Sequence, residues 1–408
     1  MNTINKIDIK TMEEGITAVP GIKAAGVHCG LKKNGNEDLA LIFSKKPAAA
    51  AGVFTTNKFK APPLVVTEQH IGNPIHAIVI NSGVANACTG DRGAEDAQSM
   101  AKFTAEKLGV DKKEVLVAST GVIGRFLPME KIFSGVEKAV GELSPEGGEK
   151  AARAIMTTDT VLKECACRVN DKKNNISFTV AGMAKGSGMI CPDMATMLAF
   201  MATDVKIERT LLQKALTKAV ARSFNLITID GDTSTNDMVV LFANGVADVE
   251  ITEEGPLWEI FNRALLQVCR DLAYKIVADG EGATKVIKLT VKGVSDYHTG
   301  RKLALAILNS ALVKTAFFGE DANWGRIITA MGYTDTKFYP ERVDVFLGSV
   351  QVTASGKGLP FDEFQAKKIL RQKEIPVLVD LHMGPEEVTA LGCDLSYDYV
   401  KINSAYRT

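Results

Sequence analysis

Apolar and polar residues follow two different periods along the chain. Apolar side chains that return every three or four residues predict helices at 94–108, 207–224, 256–277 and 300–318. Short apolar or alternating runs predict strands at 77–80, 115–118, 161–169, 176–183, 238–243 and 397–402. Helices and strands that follow one another in this way are typical of an α/β fold in which sheets and helices form layers.

The stretch 185–204, KGSGMICPDMATMLAFMATD, changes character in its middle. Its first half is rich in glycine and contains Pro192, which predicts a loop, whereas its second half is apolar enough for a buried strand. Thr196 lies at the junction, directly after Ala195. A threonine here is either ordinary packing or a nucleophile. If the chain is cut before Thr196, the new α-amino group supplies a base, because its unperturbed pKa of about 7.7–8.0 leaves a neutral fraction at pH 7.

Other polar turns follow predicted strands or helices, and each has either a purely structural or a catalytic or binding interpretation. Thr120 and Gly121 either end a strand or present a hydroxyl and a backbone N–H to a developing oxyanion. Glu281, between two glycines, is either a solvated turn residue or the partner of a cationic amine. The acidic turn 230–237 lacks the terminal Glu of a calcium loop, so we expect no metal there.

Composition narrows the class of protein. A chain of 408 residues predicts more than one domain. Its 48 basic and 48 acidic residues balance, which argues against sequence-independent binding of nucleic acid. Because no apolar run reaches the length of a membrane span and the polar N-terminus has no signal-peptide pattern, we expect a cytoplasmic protein. The seven scattered cysteines predict reduced, partly buried thiols.

The order of the polar turns resembles one family over essentially the whole chain. The strings that carry this resemblance are INSGVANACTG, STGVIG, MTTDT, KGSGMICPDMATML, DGDTSTND, DGEGATK, GEDANWGRI and YDYVKINSAYRT. They occur in the order seen in the ornithine acetyltransferases, the glutamate N-acetyltransferases of arginine biosynthesis. The resemblance implies a layered helix–sheet sandwich of the self-processing, N-terminal-nucleophile-like type.

The resemblance also implies a reaction and the residues that perform it. The precursor is expected to cleave itself between Ala195 and Thr196, giving an α chain of residues 1–195 and a β chain of residues 196–408. Thr196 then takes the acetyl group of N2-acetylornithine and passes it to glutamate, while Thr120 and Gly121 form the oxyanion hole. The family's substrate-binding positions match Thr157, Lys185, Thr196, Glu281, Asn403 and Thr408. No cofactor or metal is implied, an α2β2 assembly is expected, and use of acetyl-CoA as a second donor stays open.

Two departures and two rival functions accompany this interpretation. Val84 and Asp193 stand where the family often has Asn, and neither replaces the nucleophile, the oxyanion pair or Glu281. A related aminopeptidase or amidase would share the cleavage but pass the acyl group to water. A non-catalytic small-molecule binding protein would keep the chain uncut.

Overall fold

The computed structural model describes residues 8–172, 174–191 and 197–405. The predicted cleavage site at Ala195 and Thr196 therefore lies outside the described residues, as do Asp193 and Thr408.

Strands and helices alternate through these residues. The strands, β1 to β18 in chain order, are Asp8–Met12, Ile22–Val27, Leu39–Phe54, Ile75–Val84, Val115–Val122, Lys163–Asp171, Ile176–Lys185, Leu198–Thr203, Lys206–Ile207, Ile227–Thr228, Met238–Ala243, Glu250–Ile251, Val286–Val294, Asp344–Leu347, Val350–Ala354, Lys357–Gly358, Glu374–Asp380 and Glu386–Cys393. The helices, α1 to α11, are Pro62–His70, Gly90–Leu108, Met129–Gly141, Gly148–Ile155, Arg209–Ala221, Pro256–Ala278, Tyr297–Asn309, Ala311–Phe318, Trp324–Gly332, Glu363–Leu370 and Tyr397–Ala405. In this part of the chain no helix is both long and apolar enough to cross a membrane.

One large sheet carries the candidate site. Its strands run in the order β1-β6-β7-β8-β11-β3-β4-β5, and β2 also pairs with β3. The long strand β3 joins the two parts of the sheet, because its first half pairs with β2 and β4 and its second half with β11. A register shift between Phe43 and Ala48 marks the change.

Alternating side chains of this sheet fill two cores, which gives the fold its layers. Along β8, Leu198 and Phe200 pack in the core between the two parts of the sheet. Ala199 and Met201 point the other way, into the core that α5 and α6 cover. Successive side chains of a strand face opposite sides, so a fully buried strand must feed two cores. The order of layers is helices, sheet, sheet, helices, and the layered α/β fold expected from the sequence is confirmed.

A second sheet is formed by strands from the second half of the chain. Its strands run in the order β10-β18-β13-β17-β14-β15-β16, and α7 packs on β13 and β18. The predicted α-chain and β-chain halves do not form separate sheets, since β7 pairs with β8 and β3 with β11. The division of the chain after residue 195 stays a prediction.

The structure corrects the prediction of a final strand at Tyr397–Ile402, which is part of helix α11. Tyrosine, valine and isoleucine favour strands, but a strand needs a neighbouring edge, whereas a helix pairs its own backbone groups. The helix begins after Ser396, whose hydroxyl accepts the backbone N–H of Asp398 at 3.2 Å. Its residues Tyr399 and Asn403 are four apart and reach the candidate site together.

The predicted helix at 300–318 is two helices, α7 and α8. Ser310 separates them in an extended conformation with ψ of 114°. Its hydroxyl accepts the backbone N–H of Val313 at 3.4 Å, so this residue ends one helix and caps the next. The helices predicted at 94–108 and 256–277 are confirmed as α2 and α6.

Candidate active site

The first wall of the site forms where the parallel strands β4 and β5 end side by side. Ser82 pairs with Thr120, and Gly83 pairs with Gly121. Gly121 has φ of +129°, and a Cβ there would lie closer than 3.0 Å to the carbonyl carbon of Gly83. Only glycine therefore fits at this position.

Neutral side chains hold this wall in place, and we call Asn81, Ser119 and Asn236 the amide cluster. The Asn236 side-chain amide donates to the carbonyl of Ala85 at 2.6 Å and to that of Ser119 at 2.8 Å. The Ser119 hydroxyl donates to Asn81 Oδ1 at 2.6 Å, and Asn81 Nδ2 donates to the carbonyl of Val84 at 2.8 Å. Buried hydrogen bonds thus fix the backbone just before Thr120 and at the end of the neighbouring strand β4.

The second wall begins at the end of β7 with Lys185, whose side chain is buried. Its ammonium donates to Thr157 Oγ1 at 2.7 Å. Burial lowers the pKa of Lys185, and nearby Asp159 opposes that shift. Asp159 accepts the backbone N–H of Thr157 at 2.9 Å and that of Gly186 at 2.7 Å, so one carboxylate orders both segments beside the lysine.

A second buried lysine, Lys163, lies behind this wall. Its ammonium donates to Asp159 Oδ1 at 2.7 Å and to Asp279 Oδ2 at 2.6 Å. Burial alone would raise the pKa of Asp159, but the charges of Lys185 and Lys163 outweigh it and lower that pKa to about 2. Asp159 is therefore ionised at neutral pH.

Glu281 follows Asp279 in the turn after α6 and is 8% exposed. Its Oε2 accepts Asn403 Nδ2 of helix α11 at 2.8 Å, and its backbone N–H donates to the carbonyl of Ser187 at 2.7 Å. A Cβ on Gly188 would lie closer than 3.0 Å to the Glu281 carboxylate, so the glycine makes room for it. An acidic group is therefore held at the cavity with its oxygens turned toward the segment that follows Lys185.

Two aspartates bind the described backbone on either side of residues 192–196. Asp230 accepts the backbone N–H groups of Met189 at 2.6 Å and Ile190 at 2.8 Å, and burial raises its pKa. Asp237 accepts the backbone N–H of Met197, the residue after Thr196, at 3.0 Å. Burial raises the pKa of Asp237 well above its usual range.

These walls enclose a cavity of about 200 Å³. The residues predicted from the sequence that line it are Thr120, Gly121, Thr157, Lys185, Glu281 and Asn403. Ala195, Thr196 and Thr408 lie outside the described residues. Among the residues that are described, no group of three or more His, Cys, Asp or Glu side chains is arranged to hold a metal ion.

Sequence reasoning missed several residues that shape the cavity. Asp230, Asn236 and Tyr399 line it, and Asp159 and Lys163 stand behind it. The turn 230–237 was recognisable as polar, but the partners of its side chains are distant in the chain. The signal for Lys163 was a charged residue at the start of β6, a strand whose next residues are mostly buried.

Val84, one of the two departures from the family pattern, lies at the end of β4. It is 8% exposed and packs in the apolar core with α2 and α3. Its side chain is therefore part of that core, and its carbonyl still accepts the Asn81 amide of the amide cluster.

Comparison with known proteins gives one consistent result. A sequence model of the ArgJ family matches residues 23–408. An arginine biosynthesis bifunctional protein ArgJ from Symbiobacterium thermophilum is 50% identical over 398 residues, covering 97% of this chain and 98% of the relative. The protein of the same name from Caldanaerobacter subterraneus is 50% identical over 394 residues, covering 95% of this chain and 97% of the relative.

A solved structure, that of the ornithine acetyltransferase of Mycobacterium tuberculosis complexed with ornithine, is 44% identical. It covers 45% of this chain and 98% of its own, with a TM-score of 0.43. The family's sequence model matches nearly all of the chain, and two relatives are 50% identical to it. This chain therefore belongs to the ArgJ family.

Proposed function

We propose that this protein is a self-cleaving acetyltransferase that moves the acetyl group of N2-acetylornithine to glutamate. The observation that carries the proposal is the cavity itself, which joins Thr120 and Gly121 to Lys185 and Glu281. An oxyanion pair, a buried cation and a buried anion suit a substrate that has an acyl group, a carboxylate and an ammonium. The curated relatives, which are named for arginine biosynthesis, support the same substrate class.

In the proposed first half-reaction, Thr196 attacks the acetyl carbonyl. Its own α-amino group, freed when the Ala195–Thr196 bond is cut, accepts the hydroxyl proton. The carbonyl oxygen becomes an oxyanion, which takes hydrogen bonds from the Thr120 hydroxyl and the Gly121 N–H. As the tetrahedral centre collapses, the C–N bond breaks, the ornithine nitrogen takes up the proton, and the acetyl group stays on Thr196 as an ester.

The second half-reaction reverses these steps with glutamate. The glutamate amine attacks the ester carbonyl, the same donors stabilise the oxyanion, and Thr196 recovers its proton as N-acetylglutamate leaves. In both steps we assign Lys185 to a substrate carboxylate and Glu281 to a substrate ammonium, by charge-assisted hydrogen bonds. The α2β2 assembly and the cytoplasmic location stay predictions.

The test combines a gel, an intact mass and an assay of the purified full chain. Wild-type protein should give two fragments, the second beginning Thr-Met-Leu-Ala-Phe, and should form N-acetylglutamate from N-acetylornithine and glutamate. Thr196→Ala should stay uncut and inactive, and Thr196→Ser should still cut and retain part of the activity. The exposed Thr217→Ala on α5 is the matched control and should behave as wild type. An active Thr196→Ala protein would contradict the assignment of Thr196 as the nucleophile.

The same assay separates the rival functions. An aminopeptidase or amidase would release acetate from N-acetylornithine without glutamate, because water would accept the acyl group. A non-catalytic binding protein would give one full-length band and no turnover. Replacing N-acetylornithine by acetyl-CoA, with glutamate as acceptor, measures whether the enzyme has a second donor.

A further inference from the structure

Lys163 is a fully buried cation whose partners belong to the segments around the cavity, although it does not line the cavity. Its side chain is 0% exposed. The ammonium donates to Asp159 Oδ1, to Asp279 Oδ2 and, at 3.3 Å, to the carbonyl of Val161. An ammonium has three N–H groups, so all of its donors have partners.

The two carboxylates bound to Lys163 each hold a segment of the cavity wall. Asp159 accepts the backbone N–H groups of Thr157 and Gly186, which places it between the Thr157 segment and the end of β7. Asp279 accepts the backbone N–H of Thr160 at 2.9 Å, and its own carbonyl accepts the Ser187 hydroxyl at 2.7 Å. Lys163 is thus the ion that joins these two anchors.

Burying the Lys163 ammonium costs hydration free energy, so we expect it to have a role that a hydrophobic side chain could not fill. A buried ion pair often stabilises a protein no more than apolar residues of similar volume, because both charges lose their hydration. Here a single charge holds segments at 157–161, 186–187 and 279–281 in one arrangement. These segments carry or adjoin Thr157, Lys185 and Glu281, which line the cavity.

We propose that Lys163 is a positioning residue for acetyl transfer, acting through Asp159 and Asp279 on the substrate-binding side chains of the second wall. This inference rests on the proposed function. Without the ammonium, the Thr157 and Glu281 segments lose their common anchor and their side chains drift relative to the oxyanion pair. Displacements of about 1 Å in such a constellation cost about 10²-fold in rate.

The test measures transfer per folded molecule in three variants of the full chain. Lys163→Met keeps the length of the side chain and removes the charge. Asp279→Asn keeps the size of the carboxylate and weakens its bond to Lys163. The double variant removes one charge of each sign, which restores the local balance. We expect kcat/KM for N-acetylornithine to fall about 10²-fold in Lys163→Met and to stay low in the double variant, whose thermal stability recovers.

Asp204→Asn is the matched control, because Asp204 is also buried and accepts a backbone N–H, that of Thr179, at 2.7 Å. It does not line the cavity, so kcat/KM should not change. A double-mutant cycle adds a readout that a purely structural role would not move. Thr157→Ala should reduce the further effect of Asp279→Asn, because both act on one wall, and should leave the effect of Asp204→Asn unchanged.

Each outcome decides between the proposals. If wild type does not transfer acetyl, the proposed function fails. If wild type transfers and the double variant recovers kcat/KM together with stability, Lys163 serves stability alone and this inference is wrong. If Lys163→Met does not fold, Asp279→Asn decides, and an unchanged kcat/KM in that variant overturns the inference.

Discussion

The two walls of the cavity are held by different chemistry. In the first wall, around Thr120 and Gly121, the amide cluster fixes the backbone with hydrogen bonds between neutral groups, and we call it the neutral wall. In the second wall, around Lys185 and Glu281, buried ions fix the backbone, with Lys163 at the centre, and we call it the charged wall. Amides and hydroxyls do not titrate over the ordinary pH range, whereas carboxylates and ammonium groups do.

The difference suggests a division of labour. The oxyanion exists only during the reaction, so its donors must be in place beforehand, and a neutral backbone frame provides that at every pH. Under the proposed function, the charged wall faces the ionised groups of the substrate, so its own charges must balance with and without that substrate. Variants of the neutral wall should therefore change kcat with little change in pH dependence, and variants of the charged wall should change both.

The largest effect is expected for Gly121→Ala. The added Cβ meets the backbone of Gly83 at a φ of +129°, so the strand end must shift and the N–H loses its aim. Loss of one oxyanion donor costs about 10²–10³ in kcat, and we expect a loss of more than about 10³ when the neighbouring hydroxyl moves as well. Steady-state kinetics from pH 6 to pH 9 check this.

Gly109→Ala is the control for this first prediction. Gly109 also has a positive φ, of 71°, but nothing lies within 4 Å of an added Cβ. This variant should lose roughly 1–2 kcal/mol of stability, the cost of an L-residue in the left-handed region, and keep its kcat. Equal losses of kcat in the two variants would show that Gly121 matters for folding only.

The second effect is that of Thr120→Ala, which removes one donor of the neutral wall and leaves the Gly121 N–H. We expect kcat to fall about 10²–10³-fold with an unchanged pH profile. Thr104→Ala, which removes a buried hydroxyl from α2, is the control and should affect stability alone. If the Thr120→Ala profile shifts with pH, the hydroxyl is coupled to the charged wall and the division between the walls fails.

Each wall could be anticipated from the sequence only in part. A strand that ends in Thr-Gly is a local signal, because the strand fixes where its last residues point. The hydrogen bond from Asn236 to the carbonyl of Ser119, the residue before Thr120, has no such signal, since the two residues are more than a hundred positions apart. The site of Lys163 could not be predicted either, because Asp159 is four residues away but the second carboxylate at its ammonium, that of Asp279, is 116 positions away.

The error at the end of the chain has the same origin. Residues 397–402 have the composition of a strand, but the pairing edge that a strand requires is a property of the whole fold. Helix α11 instead turns one side toward the cavity. On that side Asn403 donates to Glu281, and the Tyr399 hydroxyl donates to Asp230 at 3.3 Å. Local pattern located the helices α2 and α6 well, because each has a continuous apolar face.

The third prediction concerns the charged wall directly. Glu281→Gln keeps the size of the side chain and an acceptor for Asn403, but removes the charge that would meet a substrate ammonium. A hydrogen bond to a charged group contributes roughly 1.5–3 kcal/mol, so kcat/KM for N-acetylornithine should fall about 10- to 10²-fold. Glu250→Gln, which breaks an exposed pair with Lys206, is the control and should have no effect. Unchanged kinetics with N-acetylornithine would make Glu281 a turn residue only.

The last prediction concerns stability rather than catalysis, through the effect of pH on Asp159. Its pKa in the folded protein is about 2, below the ordinary value of 3.8, so the folded state prefers the ionised form. The stabilisation is therefore fully present above pH 3.8 and is lost as pH falls toward about 2. The shift corresponds to about 2 kcal/mol, which Asp159→Asn should lose at pH 7. Urea unfolding at pH 7 and at a series of lower pH values measures the difference, which should shrink as the acid limit is approached.

Asp204→Asn sharpens this prediction because its sign is opposite. Burial raises the pKa of Asp204, so its ionised form is disfavoured in the folded state, and this penalty is present at pH 7 and disappears as pH falls through the raised pKa. The asparagine oxygen still accepts the N–H of Thr179. Asp204→Asn should therefore be at least as stable as wild type at pH 7, with the gain vanishing in acid. If both variants lose the same stability at every pH, the pKa values of the two aspartates do not shift in opposite directions. The ionic coupling of Asp159 to the two lysines is then not what orders the charged wall.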